Sequence, residues 1–211
     1  VLGSTFFFVG FRVLQTAAPN IVEVLLHRPL ADLLFVQQAP LLVVSALTFF
    51  VVPFFQKRIG KRRLIMIAAV FLALLMGFGV PALPSMPFLA VPIFGLAGVS
   101  IAIFLAVPNA ILADVCEANA RTTGERREGM FFGAQGFLQK VSLGVAGSGV
   151  SILAETLGKS VDNPLGVQLS GPLAAVADGA TAIAFARYPE ADVQARASLA
   201  PPVAKDVSAA P

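Results

Sequence analysis

This sequence predicts an all-α membrane protein of six transmembrane helices, on three observations. The 211 residues are 57% hydrophobic and 13% charged, against about 45–50% and about 25% in a soluble domain. Eighteen phenylalanines accompany one tyrosine and no tryptophan, a ring set suited to burial in hydrocarbon. With a mean hydropathy of +0.84, six stretches reach the roughly 20 mostly apolar residues that a spanning helix needs at 1.5 Å per residue.

Helix one is expected over 2–26, closing at His27, Arg28 and Pro29. Helix two covers 34–55 and ends in Gln56, Lys57 and Arg58; helix three covers 64–83 and is uniformly apolar from Leu64 to Val80. Helix four is expected over 86–113, helix five over 129–157, and helix six over 167–187, where Gln168, Pro172 and Asp178 weaken the signal. Residues 1–188 are thus one six-helix transmembrane unit. The stretch 189–211 is rich in Ala, Pro, Val and Ser, cannot bury enough surface to order itself, and is expected to be a disordered tail.

Composition also excludes functions. A formal charge of +3 is too small a surplus to imply a nucleic-acid partner, and one cysteine and one histidine allow neither a disulfide framework nor a His/Cys metal site. There is no Ser/His/Asp set, no HExxH and no carboxylate pair at one depth, so no enzyme is expected. The chain opens at Val1 without a basic region or cleavage site, which argues against a signal peptide and for a missing start. Lysine and arginine set the orientation. Lys57, Arg58, Lys61, Arg62, Arg63, Arg121, Arg126, Arg127, Arg187, Arg196 and Lys205 fall after the even helices, against Arg28 and Lys159 after the odd ones. The basic loops and the C-terminus are therefore expected in the cytoplasm, with the chain spanning the cell's inner membrane and contacting its lipid.

Ionisable side chains inside a membrane are costly and are functional candidates unless they can reach an interface. In helix one, Arg12, Gln15, Thr16, Asn20, Glu23 and His27 fall within an arc of about 140° at 100° per residue. Such a stripe lines a polar cavity or forms intrahelical pairs such as Arg12 with Gln15. Lys140 lies about 16 Å into helix five, near the bilayer centre. Gln135, Gln139 and Ser142 share a face with one another, Lys140 sits about 100° round from Gln139, and these groups suit a polyhydroxylated or anionic ligand. Asp178, near mid-depth of helix six, is the partner that charge alone would choose for Lys140. Helix five is also rich in glycine, with Gly129-x-x-x-Gly133 a close-packing pattern.

The run from Ala113-Asp114-Val115 through Glu117 to Arg121-Thr122-Thr123-Gly124-Glu125-Arg126-Arg127-Glu128-Gly129, with Phe131-Phe132-Gly133 and then Lys140, carries a resemblance. It resembles a segment of the glycoside-pentoside-hexuronide:cation symporters, the family that includes melibiose permease, within the major facilitator superfamily. Gly60-Lys61-Arg62-Arg63 is similar to that family's basic loop, and Arg187-Tyr188-Pro189 to its closing helix end. The resemblance implies that the six helices form one half, the C-terminal half, of a twelve-helix bundle, whose absent N-terminal six-helix half is a partner. It implies cation-coupled symport of a sugar or related polar solute such as a glycoside, with Na+ or H+ as coupling ion and no other cofactor. It places Lys140 near the sugar and cation sites and Gln135 at a sugar position. Gly136 and Gln139 depart from the residues of melibiose permease, and Asn119 and Ala120 stand where the family often has acids.

A charged midplane between polar helix faces fits a secondary transporter, whose site lies between structural repeats. On this reading the substrate-binding candidates are Lys140, Gln135, Gln139, Arg12 and Gln15. Asp114, Glu117, Arg121, Arg126, Arg127 and Glu128 are charge-balanced at the cytoplasmic mouth and form either a gating latch or a solvated loop. The alternatives are a non-transporting structural or assembly membrane protein and a transporter of a non-sugar solute.

Overall fold

The computed structural model describes residues 2–27, 29–32, 34–123, 128–158 and 165–197, and every regular element among them is helical. In order these are α1 (Leu2–Asn20), α2 (Ala39–Ile59), α3 (Lys61–Ala82), α4 (Ala90–Thr123), α5 (Glu128–Leu157), the single turn α6 (Leu165–Gln168), α7 (Ser170–Ala186) and α8 (Glu190–Ala197). Four stretches are long and apolar enough to cross a membrane: Leu34–Ile59, Lys61–Ala82, Pro87–Thr123 and Leu165–Ala186. The other two long helices, α1 and α5, carry the candidates Arg12, Gln15, Gln135, Gln139 and Lys140. The chain is a multi-pass, all-helical membrane protein.

α7 packs between α1 and α3, α4 packs against α2 and α3, and α5 rests mainly on α1. Small residues set the close contacts. A Cβ at Gly171 would stand 2.6 Å from the Met76 carbonyl oxygen of α3, and one at Gly98 would stand 2.5 Å from that of Leu41 in α2. α1 and α4 meet through Phe7 and Phe104, stacked with ring centroids 3.8 Å apart. Ser100 Oγ donates to the Ala68 carbonyl across α4 and α3, so its buried hydroxyl is satisfied.

Helix ends differ from the expected ones for local reasons. α1 runs into a π turn over Ile21–Leu25, beside Pro19, which has no N–H to give. The turn closes with Leu26 N–H donating to the Ile21 carbonyl, and His27 then takes a positive φ of 53°. A second π turn, Leu34–Gln38, leads into α2. α4 continues past 113 to Thr123, because Ala113–Ala120 is rich in helix formers and Glu117 pairs with Arg121 one turn on. Asp114, Glu117 and Arg121 are therefore helical residues, not loop residues. The sixth expected helix is divided at Leu169, where Pro172 leaves the Gln168 carbonyl without its ladder donor.

The disordered tail expected from 189 onward is corrected over Glu190–Ala197, which is α8. Pro189 and Glu190 are start signals for a helix, and α8 gains its order by packing against α4. Residues 198–211 lie outside the described residues.

Candidate functional site

The polar groups gather at α4 and α5. Gln135 is buried, and its Nε2 donates to Asn109 Oδ1 at 3.2 Å. Asn109 follows Pro108 in α4 and spends its own Nδ2 donor on the Leu105 carbonyl at 2.9 Å. That leaves amide hydrogen-bonding capacity in a cavity of about 330 Å³ lined by Phe8, Phe104, Leu105, Asn109, Phe132, Gln135, Gly136 and Gln139. Aromatic rings with convergent amides can hold a solute with apolar faces and hydroxyl edges. Gln135 also borders a larger, mostly apolar cavity of about 810 Å³ that runs between α1, α4, α5 and α7 to Arg187 and Tyr188.

Of the substrate-binding candidates, Gln135 and Gln139 share the smaller cavity, and Lys140 borders neither cavity. Lys140 is exposed on the face of α5 that also carries Gly133, Gly136, Gly144 and Gly147, all within about 80° at 100° per residue. That face is open: nothing lies within 4 Å of a Cβ added at Gly133, Gly136 or Gly144. At Gly147 the nearest group is Arg12 Nε of α1, 3.9 Å away. Arg12 thus reaches the lysine-bearing face two turns further along. Its Nη1 donates to Gln15 Oε1 at 3.3 Å, the intrahelical pair considered above, while both side chains stay exposed.

Asp178 does not pair with Lys140. It is 1% exposed, and its Oδ1 lies 2.7 Å from where a Cβ of Gly10 would stand, so α7 presents it to α1 rather than to the open face of α5.

The cluster expected at the cytoplasmic mouth divides. Asp114 Oδ2 pairs with Lys61 Nζ at 2.6 Å, linking α4 to α3, and Lys61 Nζ also donates to the Ala110 carbonyl. Glu117 pairs with Arg121 inside α4, and Glu128 is exposed at the start of α5. Arg126 and Arg127 lie outside the described residues. Glu190 of α8 accepts from the backbone N–H groups of Lys61 and Arg62 at 2.8 and 3.1 Å. These are first-turn donors that α3 itself cannot satisfy, so α8 caps α3 with a charge its helix dipole favours. Gly60 allows this approach: its φ is +89°, and the Glu190 carboxylate sits 3.4 Å from the position a Cβ would take. Arg62 donates to the Ala186 carbonyl, tying α3 to the end of α7. Tyr188 is half-buried beside this network. Burial, then the Asp114 and Glu190 carboxylates, pushes its phenol up to about 12.

Sequence reasoning missed Asn109, Lys61 as a partner for Asp114, and Glu190. An amide directly after a mid-helix proline was a readable signal for the first. Nothing local marked the other two as partners.

Residues 30–177 match the MFS/sugar transport protein family. The chain belongs to that family of major facilitator transporters. Family membership points to a transporter rather than an enzyme, and the matched stretch contains Lys61, Asn109, Asp114, Gln135 and Lys140 while Arg12, Gln15 and Asp178 lie beyond it. No curated protein and no solved structure matches the chain.

Proposed function

We propose that this major facilitator protein is a secondary active transporter that carries a sugar or related polar solute together with Na+ or H+ by alternating access. The observation that carries the reading is the Gln135–Asn109 contact, an amide pair from two helices in a cavity walled by phenylalanine. Amides suit sugar hydroxyls, and rings suit the apolar faces of a pyranose. In this reading the chain is the C-terminal half of a melibiose-permease-like symporter, and an N-terminal six-helix half packs over the open face of α1 and α5. Arg12, Gln15 and Lys140 then look into the shared cavity and meet solute or coupling ion. The protein lies in the inner membrane with its C-terminus in the cytoplasm, and the ties among Lys61, Asp114, Arg62 and Glu190 hold the cytoplasmic mouth in one state.

The Arg12–Gln15 bond favours a second reading, in which the polar stripe of α1 only packs helices. Uptake of radiolabelled glycosides by the complete protein, both halves together, in proteoliposomes under an imposed Na+ or H+ gradient separates the two. The transporter reading expects gradient-driven uptake, abolished or uncoupled in Lys140→Met at normal abundance. It expects Gln135→Ala to weaken binding by about 0.5–1.5 kcal/mol, the worth of one hydrogen bond. Absence of uptake for sugars and other polar solutes under both gradients leaves the packing reading.

A further inference from the structure

Asp178 sits mid-way along α7 and is the buried carboxylate among the described residues, with neither oxygen holding a hydrogen-bond partner. The other acids at helix contacts are satisfied: Asp114 by Lys61, Glu117 by Arg121, and Glu190 by the first turn of α3. A buried polar atom without a partner is rare in a native structure and calls for an explanation.

The groups facing Asp178 narrow that explanation. From α1 comes Gly10, whose missing side chain makes the room: a Cβ there would stand 2.7 Å from Oδ1 and 3.2 Å from the Ala174 carbonyl oxygen. The ionisable group of α1 is Arg12, turned to Gln15 and Gly147 of α5, and Glu23 of the π turn that follows is exposed. From α3, the other long helix packed on α7, the stretch Leu64 to Ala82 carries no charge, and its cytoplasmic cations are placed elsewhere. Lys61 is on Asp114, Arg62 is on the Ala186 carbonyl, and Arg63 is exposed. α6 has no ionisable residue, and α7 has none besides Asp178. On α7 the Thr181 hydroxyl, one turn on, is spent on the Ala177 carbonyl. Lys140 of α5 is exposed on that helix's open face.

Among the described residues no cation and no donor therefore compensates an ionised carboxylate here, and a bare charge among apolar helices is strongly disfavoured. A metal ion needs several oxygen ligands. Among the described residues no group of acids, histidines or cysteines forms such a set, and the Ala174 carbonyl beside the Gly10 position belongs to the α7 ladder. A proton needs no further ligand.

We infer that Asp178 is a proton-binding site, neutral while α1 lies against α7 through Gly10 and ionised only when the two helices part and admit water. On release the O–H bond breaks, the electron pair stays on the carboxylate and the proton passes to water; closure reverses each step. Helix separation and proton release are then one equilibrium. The inference rests on the transporter reading only in naming the proton as its coupling ion.

The test needs no solute and no transport. In nanodiscs, the wild-type chain is expected to show an infrared band of a protonated carboxyl at neutral pH, and Asp178→Asn is expected to lose it. Amide hydrogen exchange over 6–14 of α1 and 174–182 of α7 reports opening. Beyond the intrinsic pH dependence of exchange, one released proton makes opening grow up to about tenfold per pH unit, and the variant is expected to lose that growth. Should the variant not fold, the wild type decides by itself: band loss and opening must share one pH midpoint. Separate midpoints, a wild type without the band, or a variant that keeps the band or the pH-dependent opening each overturn the inference. If band and exchange behave as expected while uptake ignores a proton gradient, the proton site stands and proton-coupled transport falls.

Discussion

Tyr188 is the chain's one tyrosine, so its titration reads a single place in the structure. Its phenol is raised to about 12 by burial and by the Asp114 and Glu190 carboxylates. A pKa raised above the unfolded value of about 10 gives stability that is complete below pH ~10 and lost as pH rises through about 12. Tyrosinate absorbance of the folded protein should therefore have its midpoint near 12. Glu190→Gln should move it down, whereas a midpoint near 10, the model-peptide value, means that α8 does not hold Tyr188 in this position. Gln135 shows the same dependence on surroundings. The sequence marked it as polar within an apolar helix, but its value as a site residue comes from Asn109, 26 positions away.

Helix contacts divide the glycines into two kinds. Gly171 of α7 and Gly98 of α4 sit under a neighbouring backbone, whereas Gly179 of α7 and most of the glycines of α5 face open space. Gly171→Ala forces a methyl onto the Met76 carbonyl and Val80, so it should destabilise the folded state by about 1–3 kcal/mol, the usual range for overpacking. Gly144→Ala meets nothing within 4 Å and should be neutral or slightly stabilising. Thermal unfolding of the two variants in detergent compares them directly, and equal losses would mean that α3 and α7 do not pack as described. At the other end of α3, Glu190→Ala removes a cap and should cost about 0.5–2 kcal/mol, seen as faster exchange in the first turn of α3 and in α8. Unchanged exchange there would remove α8 as a support for α3.

Across the whole molecule, four helical stretches meet the length and apolarity of a membrane span, and α1 and α5 carry Arg12, Gln15, Gln135, Gln139 and Lys140, which Asn109 of α4 joins at the smaller cavity. A transporter needs both kinds of surface, since apolar faces meet lipid while polar ones meet solute. Tags after Arg63 and at the C-terminus should report the cytoplasm, and a tag after Lys159 the opposite side, because basic loops stay inside. Any other pattern overturns the orientation. Lys61→Met breaks the tie between α3 and α4. As a partly exposed pair this is worth about 0–1 kcal/mol, so melting should hardly change, whereas the ratio of inward-open to outward-open protein, read by cysteine accessibility, should shift.

The sequence by itself determined the solvent of this protein and the polar residues that needed an account, because composition and helical periodicity are local properties. Gln135, Gln139, Lys140, Arg12 and Asp178 all stood out against hydrocarbon. The resemblance to sugar symporters pointed to the superfamily that residues 30–177 match. Only the tertiary structure decided which groups meet: Lys61 with Asp114 across 53 residues, Glu190 with the start of α3 across 129, and Asp178 with Gly10 rather than Lys140. Each pairing depends on how far a helix is rotated about its axis and which neighbour lies beside it, and those are set by packing between distant segments. The tail shows the same limit: 190–197 is too polar to order itself and becomes a helix because α4 lies beside it and α3 has two amides to satisfy.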